Sequence, residues 1–376
     1  MAPNAFKHGL SAEDAAAAIG QGLTASGLRH TSEAFPIGDG GDGTIALIAD
    51  RLGAVRVKAT VRDPLHRDID TWFGLTDDAT TLIEMANASG LRLLDTAELD
   101  PLIALSTGTG DLIRAALDLE ARRIIVGMGG SATVDGGVGI LQSLGARFLD
   151  KHGDPLTGLP AALTALDSID TSQLDPRLAN CELVVLCDVD NPLLGPSGAA
   201  AVYGPQKGAT PGSVQQLDSC LEQLANVVAK TTGRDMKTVT YGGTAGGAAA
   251  GLYGLLNATL AGGIDYFLDI TGFDRSLETA DFVITGEGSI DDQTLQGKGP
   301  MGVAVRAKKR GIPVIGLAGK IPLTPGPELK KYFDILLPIG NEPSGLADAL
   351  ENTAANLSRT AEAIGRMIAL SSTGLE

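Results

Sequence analysis

An α/β fold in two domains is the architecture this sequence predicts, on three observations. Short unbroken apolar segments recur, each running into a Gly-rich loop and then a helical pattern, as strands covered on both faces of a parallel sheet require. The chain has 376 residues and a hydrophobic content of 44%, more than one core usually organises, so two cores are expected. Aromatics make up only 4% against 50 glycines, which predicts cores of Ala, Val, Leu and Ile joined by many tight turns.

The elements follow in order. Ser11 can cap a helix with Asp14 closing the box, and Ala15, Ile19 and Leu23 then share one face; before it there is almost no room for a strand. Residues 34–43 read as a short strand entering a Gly-rich loop, and 44–52 as the next helix. From Val55, apolar Val57, Ala59 and Val61 alternate with Arg56, Lys58, Thr60 and Arg62, the period of a half-buried strand, and Asp63 and Pro64 turn it. Segments 69–74 and 81–85 are its predicted partners in an antiparallel sheet distinct from the flanking βα units. A buried strand opens the segment 183–192, and the βα pattern returns at 123–132, 281–289 and 313–320, whose short apolar strands suit a parallel sheet. A helix between the last two is bounded by Pro300 at its start, Lys308, Lys309 and Arg310 in its last turn, and Gly311 beyond. A closing strand at 334–339 and one long helix or a pair over 345–370 complete the chain, which shows no fixed-period repeat.

Lys and Arg total 29 against 45 Asp and Glu, a net charge of −16 with no basic block, which argues against a nucleic-acid surface. A phosphorylated ligand stays compatible, because a local positive pocket and Mg²⁺ can neutralise phosphate inside an acidic protein. Cys181, Cys187 and Cys220 lack metal-site or CxxC spacing and read as small core residues of a reducing compartment. No apolar run approaches bilayer length, and residues 1–7 lack the features of a signal peptide, so the expected protein is soluble and cytoplasmic with no membrane partner.

Four segments place Gly, hydroxyl and carboxylate residues just after an apolar strand, where open α/β sheets bind ligands. In the first, Asp39, Gly40, Gly41 and Asp42 lead to Thr44: the glycines let backbone N–H groups approach a ligand and the carboxylates can hold a hydroxyl or a hydrated Mg²⁺, although a plain turn has the same composition. The second, Gly129, Gly130, Ser131 and Thr133 through Gly137, offers N–H groups and a helix N-terminus to phosphate or carboxylate, or serves as a simple cap. In the third, Asp188 and Asp190 on alternate positions, followed by Asn191, can converge on one Mg²⁺ or one hydroxyl, with a structural turn as the rival reading. Downstream of it, Lys207 is either a phosphate contact or a solvated surface lysine. The fourth runs from Thr285, Gly286, Glu287 and Gly288 to Asp291 and Lys298, and suits nucleotide phosphates with Lys298 as a point charge.

Familiar nucleotide and hydrolase signatures are absent: there is no G-x-x-x-x-G-K-[ST], no protein-kinase motif set and no G-x-S-x-G. His8, His30, His66 and His152 carry no recognisable catalytic pattern. By themselves the loops indicate an α/β enzyme that binds phosphate or carboxylate, and they do not say kinase.

Taken in this order, and with Pro3 to Lys7 ahead of them, the loops resemble the type I glycerate kinase family across nearly the whole chain. The strongest matches are 39–44, 129–137, 187–193 leading to 204–210, and 285–294 with Gly297 and Lys298. Two departures stand out: family members usually begin with a short apolar strand that is missing ahead of Ala2, so the sheet is expected to lose a strand, and they commonly carry Asp-Ser where this chain has Asn4 and Ala5.

The resemblance implies a flavodoxin-like parallel-sheet domain with a second α/β domain inserted into it and the active site in the cleft between them. The first maps onto 1–52, 106–140 and 275–376, and the second onto 53–105 and 141–274. It implies ATP-dependent phosphorylation of glycerate, with 2-phosphoglycerate favoured as product, and ATP and Mg²⁺ as the cofactors. Asp188, Asp190 and Lys7 are then the expected catalytic residues, and Asp188, Asp190 and Asp291 the expected Mg²⁺ ligands. Asp39, Gly40, Gly41, Asp42, Asn191 and Lys207 are expected on the glycerate. Gly129, Gly130, Ser131, Thr133, Thr285, Gly286, Glu287, Gly288 and Lys298 are expected on the ATP. A Mg²⁺-dependent hydroxy-acid lyase or isomerase, or a non-catalytic sensor of an organic acid or nucleotide, would use similar loops.

Overall fold

The apolar and alternating segments fold as strands close to where the pattern puts them, in a computed structural model that describes residues 1–291 and 294–372. In chain order the strands are β1 (Ala2–Pro3), β2 (Val55–Arg62), β3 (Asp68–Leu75), β4 (Thr80–Glu84), β5 (Arg123–Gly127), β6 (Arg147–Leu149), β7 (Ser168–Asp170), β8 (Glu182–Cys187), β9 (Thr259–Gly262), β10 (Val283–Ser289), β11 (Val314–Lys320) and β12 (Ile335–Pro338). By their packing the residues divide into two units, Met1–Asp39 with Ile264–Glu376, and Gly40–Gly263.

The smaller unit carries a parallel sheet in the order β1-β10-β11-β12. Helix Gly299–Lys309 makes the crossover from β10 to β11, with Pro in its first turn and Arg306, Lys308 and Lys309 in its last, as the helix dipole favours. Helix Ala12–Ala25 starts at Ser11, whose hydroxyl accepts the Asp14 N–H at 3.0 Å. Its inward residues Ala15, Ile19 and Leu23 share a core with Ile284 and Leu317 of the sheet and with Leu357, Ala361 and Ile364 of the final helix, Thr353–Ser372. The C-terminal segment is therefore a helix pair, Leu346–Glu351 preceding it.

Two expectations at the start of the chain are corrected. Residues before the first helix do form a strand, because Ala2 and Pro3 pair with Thr285 and Gly286. Segment 34–37 is not a strand; it runs extended beside β1, its Phe35 and Ile37 N–H groups donating to the Met1 and Pro3 carbonyls at 2.8 and 3.0 Å. A cavity of about 580 Å³ lined by Phe35, Phe273 and Phe282 lies at the beginning of β10. That is the wrong end of a parallel strand for a ligand site in an open α/β sheet.

The larger unit holds a six-stranded sheet in the order β2-β3-β4-β5-β8-β9 and a small β6-β7 hairpin. The alternating stretch is antiparallel from β2 to β4, as its period predicts, but it is not a separate sheet: β4 continues parallel into β5, β8 and β9. Ile83, Leu112, Ile113, Ile124, Val126, Val185, Leu221 and Leu224 form its core, and Cys187 and Cys220 are buried, unbridged members of it.

This pairing also corrects the sequence-based domain division. Residues 106–140 belong with the larger unit because β5 sits between β4 and β8, and helix Thr44–Leu52 packs on β4 with Ile45 and Ile48 fully buried. Among the described residues no helix is long and apolar enough to cross a membrane.

Candidate active site

In the larger unit the C-terminal ends of β4, β5 and β8 bring together Glu84, the Met128–Ser131 turn and the Cys187–Asp190 segment. The Gly40–Thr44 loop lies against them backbone to backbone. A Cβ at Gly129 would fall 2.2 Å from the Asp42 nitrogen, so any side chain there would push that loop away. Gly40 is confined in the same manner, since a Cβ on it would stand 3.0 Å from the Cys187 carbonyl carbon, and Gly41 follows it at the surface of the loop.

A cavity of about 90 Å³ opens here, lined by Gly129, Gly130, Ser131, Asp188, Tyr203, Gln206 and Lys207. It is well under the roughly 300 Å³ at which pockets begin to take drug-sized ligands, and so suits a small acid. Asp188 is exposed at the cavity wall, and Asp190 is exposed beside it without lining it. Burial first, and then the Asp188 and Asp190 charges, push the Tyr203 phenol up to about 12, which puts both carboxylates within electrostatic reach of one hydroxyl. That hydroxyl donates to Asn191 Oδ1 at 2.7 Å, while Asn191 Nδ2 donates to the Ser197 carbonyl at 2.9 Å. Both ends of the Asn191 amide thus brace the loop.

Lys207 is not a solvated surface lysine. It is 3% exposed and donates to Ser131 Oγ at 2.8 Å and to the Thr133 carbonyl at 2.7 Å. Burial lowers its pKa to about 8 against the opposing pull of Asp135 and Asp188. Two of the three ammonium donors are thereby taken, and one is left for a ligand in the cavity it lines. The hydroxyl of Thr133 is buried without a hydrogen-bond partner among the described residues.

The second loop also differs from a phosphate cradle at its helix end. At the start of helix Val138–Ser143 the guest is the protein's own Asp135, whose fully buried carboxylate accepts from the Gly137 and Gly139 N–H groups at 3.0 Å each. It also accepts from the Ser106 N–H at 2.9 Å and from the Ser106 hydroxyl at 2.7 Å. Removing it leaves these donors buried and unpaired, so Asp135→Ala is expected to lower unfolding free energy by about 3–5 kcal/mol. Urea denaturation checks this, and a loss below about 1 kcal/mol would contradict the bracing role.

In the smaller unit, β10 ends at a second cluster. Glu287 is buried, and its Oε1 accepts from Thr294 Oγ1 at 2.9 Å. Burial raises its carboxyl to about 7, against the Thr294 hydrogen bond and the Lys298 and Lys7 charges, with Asp39 reinforcing the rise. Asp39 itself accepts from Asn4 Nδ2 at 2.9 Å. Lys7 is exposed and Lys298 half-buried, so the cluster holds two cations and two carboxylates, with Gly288 open to it near the Lys7 backbone.

Two of the residues expected on the ATP also have structural roles here. Thr285 Oγ1 donates to the Ala2 carbonyl at 2.7 Å and ties β10 to β1. Gly286 is required by packing, since a Cβ there would sit 2.1 Å from the Leu317 carbonyl oxygen of β11. Asp292 and Gln293 of the fourth loop lie outside the described residues.

Among the described residues no three His, Cys, Asp or Glu side chains form a metal-binding group. Of the predicted ligands, Asp188 and Asp190 belong to the larger unit and Asp291 to the smaller one, where it accepts from Ser289 Oγ at 3.1 Å. The Asp188–Asp190 pair alone still fits Mg²⁺, which keeps several waters and is commonly held by one or two carboxylates together with substrate phosphates.

Sequence reasoning passed over Glu84, Arg92, Asp135 and Tyr203. Asp135 stands inside a motif already singled out and Tyr203 directly before one, at positions where a polar side chain beside glycines was the available signal. Glu84 and Arg92 have no such signal, because their role arises from pairing between distant segments.

Comparison with known proteins gives the arrangement a family. The glycerate kinase family model matches residues 1–369. A glycerate kinase of Bacillus subtilis strain 168 is 43% identical over 99% of this chain and 98% of its own, and the glycerate 2-kinase of Escherichia coli K12 is 40% identical over 98% and 97%. A solved structure from Salmonella typhimurium LT2 that carries the name glycerate kinase 2 superposes with a TM-score of 0.84 at 41% identity, covering 99% of this chain and 98% of that one. The relatives are phosphotransferases matched end to end, and this chain belongs to the glycerate kinase family.

Proposed function

We propose that the protein is an ATP-dependent, Mg²⁺-requiring D-glycerate kinase of the type I family that forms 2-phosphoglycerate in the cytoplasm. The observation that carries the reading is the small cavity at the ends of β5 and β8, where an exposed carboxylate, Asp188, faces a buried ammonium, Lys207. A three-carbon hydroxy acid needs both: a cation for its carboxylate and a proton acceptor for its hydroxyl. The name glycerate 2-kinase on the Escherichia coli relative favours the 2-position. Three unbridged cysteines suit a reducing compartment.

Phosphoryl transfer asks the protein mainly for positioning and charge neutralisation. Lys207 holds the substrate carboxylate with its remaining donor, and Gly129, Gly130 and Ser131 form the cavity wall behind it. Asp188, which lines the cavity, takes the proton of the attacking hydroxyl, and Asp190, which does not, is left for the metal. When bound, Mg²⁺ supplies charge neutralisation on the transferring phosphate oxygens. In the smaller unit, Lys298, Lys7 and the Glu287 cluster provide the nucleotide-phosphate contacts, with Asp291 as a further acidic group.

A phosphorus NMR spectrum of the reaction with glycerate, ATP and Mg²⁺ is expected to show ADP and a single new monoester on the 2-oxygen. Glycerate-independent ADP formation, or none at all, would reject the kinase reading, and a monoester on the 3-oxygen would reject the regiochemistry.

A further inference from the structure

Glu84 ends β4 at 3% exposure, in the middle of the larger sheet and directly under the Gly40–Thr44 loop. Its Oε2 accepts the Ile45 N–H at 3.0 Å in the first turn of helix Thr44–Leu52. That helix has Gly43 at its N-cap and no side-chain cap of its own, so a carboxyl from a distant strand supplies the missing acceptor. The other oxygen, Oε1, is buried with no hydrogen-bond partner among the described residues, and stands 3.2 Å from where a Cβ on Gly127 would be. A carboxylate held merely as a cap would not ordinarily leave an oxygen buried without a partner from the chain.

The charged groups acting on Glu84 are Asp42 on the loop and Arg92 on the turn Leu91–Leu93; β5 presents only Gly127, and the helix presents Ile45. Arg92 donates to Asp42 Oδ1 at 3.0 Å and also to Asn87 Oδ1. A single guanidinium therefore serves the loop carboxylate directly above a second carboxyl.

Building on the glycerate-binding reading of this loop, we propose that Glu84 is a positioning residue, one that fixes the Gly40–Thr44 loop and its Asp42–Arg92 pair for an anionic substrate. Burial raises its carboxyl to about 8, with the Asp42 charge adding to the rise and the Ile45 hydrogen bond and Arg92 opposing it. Near neutrality the group is uncharged, and Arg92 stays with Asp42. Above that range a second negative charge appears under the loop, competes for Arg92 and repels glycerate.

The test compares the pH dependence of the glycerate KM in the wild type and in Glu84→Gln, which keeps the shape of the neutral acid. Lys207 titrates in the same range, so only the difference between the two profiles belongs to Glu84. The rise in KM from about pH 7 to about pH 9.5 is expected to be about three- to tenfold smaller in the variant, with little difference in kcat. Superimposable profiles overturn the proposal, as does a wild-type KM that stays flat.

Melting curves without substrate give a second, independent readout. A carboxyl raised in the folded state binds a proton that the unfolded chain has lost, so wild-type stability falls between about pH 4.5 and 8 and the advantage of Glu84→Gln grows over that window. A pH-independent difference in melting temperature overturns the proposal. Absence of glycerate turnover in the wild type would instead reject the kinase reading, and the melting result would then decide the role of Glu84 alone.

Discussion

Asp188→Asn is expected to lower kcat by about 10²–10⁴-fold with a much smaller change in the glycerate KM, the range over which a positioned general base acts. The expectation rests on position. Asp188 follows the last residue of β8, at the end of a strand buried along Leu183 to Cys187, and it is the one carboxylate of the segment that lines the small cavity. Asparagine keeps the size and most hydrogen-bonding geometry, so it removes chiefly the proton acceptor. Because the side chain is exposed, folding should be nearly indifferent, with a change in unfolding free energy within about 0.5 kcal/mol. Asp190→Asn, next to the cavity but outside its lining, is expected to shift the Mg²⁺ concentration needed for half activity more than it shifts kcat at saturating Mg²⁺. Coupled assays of ADP release over a Mg²⁺ series separate the two. A normal kcat for Asp188→Asn in a folded protein would remove it as the base, and reversed behaviour of the two variants would exchange their roles.

How much of this was legible in the sequence follows from the range of the interactions. Local signals held: Ser11 and Asp14 mark the first helix, the alternation from Val55 to Arg62 marks β2, and Pro300 with the basic last turn bounds the β10–β11 crossover. The loops that follow β5, β8 and β10 are likewise local facts, a glycine-rich exit after an apolar strand. What failed was non-local. Nothing in Arg123 to Gly127 states that its neighbours are β4 and β8 and not β10, and the division of the chain turned on that pairing. Side-chain direction was equally hidden. Thr285 and Gly286 have the composition of a phosphate loop, yet one ties down β1 and the other makes room for β11. Asp135 and Glu84 show a further limit. A helix N-terminus predicts that a hydrogen-bond acceptor will be welcome but not whose, and in both cases the chain provides it from its own carboxyls.

Lys207→Met is expected to abolish most activity while leaving the stability of the fold nearly unchanged. The ammonium is buried, and its pKa near 8 lies below the ordinary lysine value of 10.5, so the folded state disfavours the charge that the unfolded state carries freely. The sign follows from proton counting. Between about pH 8 and 10.5 the unfolded chain holds the extra proton and stability rises with pH, so below about pH 8 the whole penalty, of order 3 kcal/mol, is present in the wild type. Methionine removes that penalty and fills the aliphatic space. Against this stand two acceptors left without their donor, Ser131 Oγ and the Thr133 carbonyl, at about 1–2 kcal/mol each. The terms nearly cancel, so the melting temperature at pH 7 should stay within a few degrees of the wild type. Catalysis has no such compensation: in the proposed site the third donor is the cation for the substrate carboxylate, and kcat/KM is expected to fall by about 10²–10³-fold, mostly through KM. Stopped assays over a glycerate series, run beside calorimetry at pH 7, give both numbers. A variant that melts far below the wild type would make Lys207 a structural strut. A variant that melts normally and keeps its glycerate KM would remove the lysine from the substrate site, and with it the main support for glycerate in this cavity.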